Sequence, residues 1–396
     1  MDDLGTNPIV EQIDPQEVIR LAQRLVALPS ENPPGHEEPV ARLIGEYLLQ
    51  AGFKVQYQPI YPDRVNLLAF LPEVCPGPTL LFCGHTDTMP LSGSWNFDPH
   101  AGVLREGRLY GRGAADMKGG LAAMAAAAKV FARSPIPRKG TLIFAALIDE
   151  ENKGEGAKAL VRAGQRADWA IIGEPTQNIP VTISNGQVNF EFHLRGVGGH
   201  GSAPSKGHNA IYDGLLLIQA LHKLAEEKFP ARSHPLIGIP SINVGTIHGG
   251  VQTSIIPEAC QITVDRRVVP GETVDGAIDE IEHLLRELQK ENPGFDADMK
   301  VTYCLAPVEI APESPVVVAL RRATSMVAGR DPGLAGIRAT TDAATLVHKG
   351  SIPTVIFGPG SLEQAHQPDE FLSITELVLA ARIYTLVALS LLSQEV

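Results

Sequence analysis

The sequence predicts an α/β protein: a mostly parallel sheet covered by helices, with an α+β domain inserted into it. Three observations carry that expectation. Short apolar runs at 79–83, 141–148, 169–172 and 352–357 read as buried strands, and helical patterns lie between them. From about residue 185 to 306 the strands change style and alternate apolar with polar residues, as half-exposed strands do. Within that stretch the order strand, helix, strand, strand, helix, strand is that of a split βαβ, ferredoxin-like unit. The expected organisation is therefore 1–184, an inserted 185–306, and a return to the first domain over 307–396.

Composition narrows the class. A chain of 396 residues permits two domains, and 44% apolar residues give it a sizeable core and exclude a disordered chain. A net charge of -12 argues against nucleic acid or an anionic membrane as partner. The cysteines, Cys75, Cys83, Cys260 and Cys304, form no Cys-x-x-Cys pair. That excludes a Cys-rich zinc site and fits reduced, cytoplasmic thiols. Residues 1–13 are acidic, without the basic flank and apolar core of a leader. The apolar segment near the C-terminus is broken by Arg382 and opens on a helix-start signal, so it is expected to be a buried helix and not a membrane span.

Taken in order, Asp14-Pro15-Gln16-Glu17 opens a helix, with Asp14 as N-cap and Pro15 at the first helical position. A Pro-rich loop, 30–35, follows. Val40, Leu43, Ile44, Tyr47 and Leu48 mark an amphipathic helix stopped by Gly52. Strands are expected at 53–57, 65–71 and 79–83, then an Ala-rich helix over about 118–132 that can lie close to a sheet. Strands 141–148 and 169–172 follow. In the insertion, strands are expected at 188–194, 237–247, 260–268 and 300–305, with helices over 210–225 and 274–288. Afterwards come a helix over 315–326, a turn at Thr340-Thr341-Asp342 with capping residues, and the strand 352–357. Ser373-Ile374-Thr375-Glu376 reads as a capping box that starts the last helix.

The chemistry gathers at strand ends. Strand 79–83 delivers His85 and Asp87; two residues apart in an extended chain, they point the same way, so Asp87 can hydrogen-bond the imidazole and fix its tautomer. Asp116 follows a Gly-rich turn and precedes a helix, at a strand-to-helix junction where open α/β sheets place ligands. Strand 141–148 ends in Asp149-Glu150-Glu151, and strand 169–172 in Gly-Glu174-Pro-Thr. His366 lies beyond strand 352–357. Taken singly these are a surface pair, an N-cap and a solvated acidic turn. Together they are a His and carboxylate set suited to zinc, with manganese or cobalt as alternatives. Glu150 and Glu151 are neighbours and do not easily serve one metal. One of them can bind while the other stands beside the water as a general base. The reaction class that follows is metal-assisted hydrolysis.

Six stretches in order, Gly-His-Thr-Asp-Thr-Met-Pro, Gly-Arg-Gly-Ala-Ala-Asp-Met-Lys-Gly, Asp-Glu-Glu, Gly-Glu-Pro-Thr, Gly-Gly-His-Gly-Ser-Ala-Pro and Ala-His-Gln-Pro-Asp-Glu, resemble the motif set of one family. It is the co-catalytic zinc hydrolases of the acetylornithine deacetylase and succinyl-diaminopimelate desuccinylase type, related to aminoacylase and glutamate carboxypeptidase. The resemblance spans nearly the whole chain. It implies a zinc-peptidase-like catalytic domain, with 185–306 as a lid and dimerisation domain. It implies that His85, Asp116 and Glu174 hold one Zn2+ and His366, Asp116 and Glu151 the other, with Asp116 bridging. Co2+ or Mn2+ are the alternatives. Asp87 would orient His85, and Glu150 would take a proton from a metal-bridging water and pass it to the leaving amine. His200 would reach the partner subunit's site and stabilise the oxyanion.

The resemblance also bears on substrate and partners. Asn243 and Arg267 match positions that contact substrate in relatives, and the adjacent Arg266 leaves the choice of Arg open. Thr341, Asp342 and the loop containing Gly358 either line the pocket or are ordinary turn chemistry. Glu at position 174 is usual in deacylating relatives, whereas peptidases more often carry Asp. The expected substrate is therefore an N-acyl amino acid, with a short peptide as the alternative. The expected macromolecular partner is a second copy of the chain, through 185–306; nucleic acid and membrane are not expected.

Overall fold

The computed structural model describes residues 8–394. The expectation about a leader over 1–13 falls in part on residues 1–7 and lies outside the described residues there. Contacts divide the chain into two compact units: the first comprises residues through Thr182, Ile310–Ala335 and Thr341 onward, the second Ile183–Glu309 with Gly336–Thr340.

In the first unit, the apolar runs become a sheet. Thr141–Leu147, Thr79–His85, Trp169–Ile172 and Thr354–Ile356 lie side by side in that order and run parallel. Leu80, Leu81, Phe82, Ile143, Phe144, Ile171 and Val355 are buried. Burial on both faces explains why these strands read as continuous apolar runs. Two antiparallel strands, Lys54–Tyr61 and Arg64–Phe70, extend the sheet beyond Thr141–Leu147. The centre of the sheet is thus parallel, as expected, with antiparallel strands flanking it.

The helices follow the local signals. Asp14 accepts from the Gln16 amide at 2.9 Å and starts Pro15–Val26. Gly119–Arg133 is buried along almost its whole length, its alanines allowing the close approach. Gly120 lies so near the neighbouring strand end that a Cβ there would stand 2.0 Å from the Gly173 carbonyl oxygen. Ile374–Leu392 is long and apolar enough to cross a membrane by length and composition. Here it packs against Gly119–Arg133 and Pro315–Ala328.

Several details depart from the expectations. Ser373 accepts from the Glu376 amide, but the Glu376 carboxylate takes the Gly360 amide at 2.8 Å and does not close the capping box. Asp342 precedes helix Ala343–His348 without capping it; Thr341 Oγ1 accepts from the Ala343 amide at 3.2 Å. The helix Glu155–Arg162 and the small sheet of Val103–Arg105, Arg108–Tyr110 and Phe371–Ser373 have no counterpart in the sequence reading. The strands of that small sheet are too short for a period to show.

In the second unit the strands order as Ser241–Gly249, Ala259–Val268, Gly186–Arg195, Ala297–Leu305, with every neighbouring pair antiparallel. That is the ferredoxin-like order. Helices Ala210–Lys228 and Val274–Glu291 bury Leu217, Leu221, Ile281 and Leu285 against Val188, Phe190, Phe192 and Val264. Gln187, Glu191 and Arg267 stand on the opposite, open face, so the alternation seen in the sequence is the two faces of this sheet.

Gly120→Ala tests the close approach in the first unit. Helix propensity alone would gain up to about 1 kcal/mol. The clash with a backbone carbonyl is expected to outweigh it and give a net loss of about 1–3 kcal/mol in urea unfolding. A stabilised variant would mean that the helix and strand end separate freely.

Candidate active site

Parallel strands end together, and their C-terminal ends carry the polar residues. His85 is the last residue of Thr79–His85. Asp149, Glu150 and Glu151 follow Thr141–Leu147, and Glu174 follows Trp169–Ile172. Asp116 sits in the turn Ala114–Lys118, where its φ/ψ of -120/95 is not helical. It is not the N-cap of the next helix. The Asp116–Met117 peptide is cis.

Among the described residues, donor atoms gather in two groups, His85 with Asp116 and Glu174, and Asp116 with Glu151 and His366, each set within 4.8 Å. Asp116 belongs to both. Its Oδ1 lies 3.0 Å from His85 Nε2, and its Oδ2 lies 3.3 Å from His366 Nε2. His366 Nε2 is also 3.1 Å from Glu151 Oε2, and His85 Nε2 is 3.7 Å from Glu174 Oε1. The five residues expected to hold metal from the sequence thus stand together.

The tautomer of His85 is set differently from the expectation. Nδ1 lies 2.9 Å from the main-chain carbonyl of Asp87, and the Asp87 carboxylate stands off at 3.6 Å. The strand stops at His85, so the alternation that would aim both side chains alike no longer holds at residue 87. With Nδ1–H donated to that carbonyl, Nε2 is left as a lone pair facing the two groups. The Asp87 carboxylate turns elsewhere. It accepts from the amides of Glu150 at 3.2 Å and Glu151 at 3.1 Å, and from Asn32 Nδ2 at 2.9 Å. Asn32 Nδ2 also donates to Asp149 Oδ1 at 2.9 Å, and Arg64 bridges Asp149 and Glu37. Asp149 belongs to the acidic triplet read from the sequence, whereas Asn32 and Arg64 carry no local signal. Asn32 lies in a Pro-rich loop far along the chain, and no local pattern ties it to the site.

The electrostatics fit divalent cations. Among the described residues, Glu174 Oε1 is buried without a hydrogen-bond partner. Burial pushes the Glu174 carboxyl up to about 8 and that of neighbouring Asp342 up to about 7. Burial and the Asp116 charge raise Glu151, while bonds to Asp116 and Glu151 lift His366 to about 10. So many buried carboxylates are stable as anions only beside concentrated positive charge. The donors are carboxylate oxygens and imidazole nitrogens, a set that suits Zn2+, Co2+ or Mn2+. Glu151 is engaged by His366; among the described residues no hydrogen bond or ion pair engages the carboxylate of its neighbour Glu150, and burial raises it.

The other expected residues are placed as follows. In the second unit His200 is exposed, in a short strand paired with Ile255–Ile256. Its Nδ1 accepts from the Ser202 amide at 3.1 Å, which puts the proton of the neutral ring on Nε2. Asn243 lies opposite Asp265 on the open sheet face, and Arg267 pairs with Asp265 at 2.9 Å on that same face. Arg266 points the other way, is fully buried, and pairs with Glu272 at 2.6 Å over the Phe229 ring. The two arginines are thereby separated, and Arg266 is structural. In the first unit Thr341 is buried with its hydroxyl committed to the helix start. A Cβ on Gly358 would stand 2.5 Å from the Gly173 oxygen and 2.6 Å from that of Glu174. Gly358 lets its loop lie against the Glu174 turn.

Removing the Asn32 amide leaves the Asp87 and Asp149 carboxylates facing each other. Asn32→Ala is expected to cost about 1–3 kcal/mol in urea unfolding. An unchanged midpoint would show that the two carboxylates find other donors.

A family model described as peptidase family M20/M25/M40 matches residues 81–390. The chain is 34% identical over 343 residues to an acetylornithine deacetylase of Vibrio cholerae serotype O1, across 86% of this chain and 87% of that one. Among solved structures it resembles aminopeptidase PepT from Bacillus cereus, with a TM-score of 0.80 and 25% identity over 96% of this chain and 99% of that one. It also shares the fold of the Bacillus subtilis YXEP protein, a dinuclear metal binding peptidase from the M20 family (TM-score 0.71, 16% identity, 96% and 98% covered).

Proposed function

The chain belongs to peptidase family M20/M25/M40 and is a metallohydrolase of that family, and from this premise we propose that it removes the acyl group from an N-acyl amino acid. The observation that carries the reading is Asp116, whose two oxygens face separate groups that each contain a histidine and a further carboxylate. His85, Asp116 and Glu174 would hold one cation and Asp116, Glu151 and His366 the other. Zn2+ is the proposed ion, with Co2+ or Mn2+ as functional substitutes. When bound, such a pair acidifies water and polarises an amide carbonyl.

The protein's own groups complete the hydrolysis. Glu150 takes a proton from the attacking water as its oxygen bonds to the carbonyl carbon. It returns that proton to the nitrogen as the C–N bond breaks, leaving a carboxylic acid and an amine. Burial raises the Glu150 carboxyl, toward the range where a carboxylate both accepts and returns a proton near neutral pH. Asp87 supports this by holding the Glu150 and Glu151 amides on one carboxylate. On the second unit, Arg267 and Asn243 share the polar sheet face and are the proposed contacts for the substrate carboxylate.

The choice of deacylation rests on Glu at position 174 and on the deacetylase relative. A peptidase on the same scaffold is the second reading, favoured by the likeness to aminopeptidase PepT. A panel of N-acetyl and N-succinyl amino acids set against dipeptides and tripeptides separates the two. Turnover of peptides alone would remove the deacylase. In the same panel Glu150→Ala is expected to lose turnover by at least about 100-fold while metal content stays at the parent's. Near-parent rates would exclude Glu150 as the base.

We further propose a cytoplasmic homodimer assembled through the second unit. Strand Ser241–Gly249 is at the edge of its sheet, and Tyr212, Leu215, Ile247 and Val251 of the same unit are exposed. In that dimer His200 would serve the partner subunit's site, donating from Nε2 to the oxyanion. Mixed dimers of His200→Ala and Glu150→Ala chains are expected to regain one working site, with each homodimer inactive. No recovery in the mixed dimer would exclude the arrangement in trans.

A further inference from the structure

The motif around His366 contains two carboxylates that the proposed chemistry leaves unused, Asp369 and Glu370. Both grip other segments of the first unit. Asp369 Oδ1 accepts from the Asn96 amide at 2.8 Å and the Phe97 amide at 3.3 Å. Glu370 is buried, at 1% exposure, and uses both oxygens. Its Oε1 accepts from the amides of Ala115 at 3.0 Å and Asp116 at 3.1 Å. Its Oε2 receives Arg112 Nη1 at 2.8 Å. Its main-chain oxygen receives the Gly111 amide at 2.9 Å. Arg112 is equally buried, reaches the Pro90 carbonyl at 3.3 Å, and lies over the Trp95 ring at 5.3 Å. The segment 111–116 and the His366 loop are thereby tied at one carboxylate.

The two groups of donors differ in how their members are held. His85 and Glu174 stand at the ends of parallel strands inside the sheet. His366 stands on a loop, has φ of +64, and leaves nearly half of its side chain exposed. The pairing of Phe371 with Tyr110 ties its loop back toward the Asp116 segment, and nearer the ligands the Glu370 carboxylate hangs from the His366 loop and holds the Asp116 amide directly. Charge-assisted bonds from a guanidinium and main-chain amides are short and directional, which suits that task.

We propose that Glu370, locked by Arg112, is a positioning residue for the cation site of Asp116, Glu151 and His366, and sets the affinity of that site selectively. The inference rests on the two-cation reading above and concerns metal affinity, not the substrate. Groups that orient metal ligands without touching the ion typically govern 10–100-fold in affinity. The site of His85, Asp116 and Glu174 keeps its strand-borne members when Glu370 is altered.

The test is a Co2+ titration of the full chain after chelation, followed by calorimetry and by visible absorption of the bound ion. The parent is expected to take up two ions. In Glu370→Gln, one binding step is expected to weaken about 10–100-fold while the other stays within about threefold. Thermal unfolding of the metal-free variant checks that it is folded. If it is not, Arg112→Lys, which keeps the charge but loses the planar fork, is expected to give the same one-step loss. Two parent-like steps in a folded variant, or equal weakening of both, would overturn the positioning role. A parent that binds fewer than two ions would overturn the metal centre itself, which is a distinguishable result.

Discussion

The first unit is organised around an electrostatic demand. Asp87, Asp116, Asp149, Glu174 and Asp342 are buried at or near the ends of the parallel strands. Removing carboxylates from water is costly unless their charge is answered by protons, hydrogen-bond donors or cations. The strands make the convergence unavoidable. They run side by side in register, so whatever follows Leu147, His85 and Ile172 meets in one place. A sheet that delivers anions to one edge needs positive charge there, and the proposed pair of cations answers that need.

The remaining carboxylates are answered by the protein itself, and each answer also fixes geometry. Asp87 is met by Asn32 and by the amides of Glu150 and Glu151. Asp149 is met by Asn32 and Arg64. Glu370 is met by Arg112 and the amides of residues 115 and 116. The groups that neutralise the inner carboxylates are thus also the ones that hold the site's loops in place. An uncharged amide between Asp87 and Asp149 lets two anions stay close because both of its hydrogens point at oxygen. This coupling of solvation to position follows from burial: a buried donor has few alternative partners, so the geometry it holds is well defined.

The second unit separates its tasks by sheet face. Successive residues of Ala259–Val268 alternate between a helix-covered face and an open one. Arg266 falls on the covered side, where Glu272 pairs with it, and Arg267 falls on the open side beside Asp265. Identical chemistry at neighbouring positions therefore has two fates: one arginine braces the core, and the other is presented to solvent.

The sequence by itself determined the class of fold, most of the helices and strands, and the residues that converge at the strand ends. Apolar runs and helical periods are local, and strand ends are where an apolar run stops, so both are written in consecutive residues. The tertiary structure decided which atom meets which. It replaced the Asp87 carboxylate by its carbonyl beside His85, turned Glu376 from its own helix start to the Gly360 amide, and set Gly358 against the Glu174 turn. It also brought Asn32 and Arg64 to the site from positions with no shared pattern, and joined Arg112 to Glu370 across two separate motifs. Those choices depend on which buried donors and acceptors are left to satisfy one another once the sheet and helices close around them, and no stretch of sequence contains that information alone.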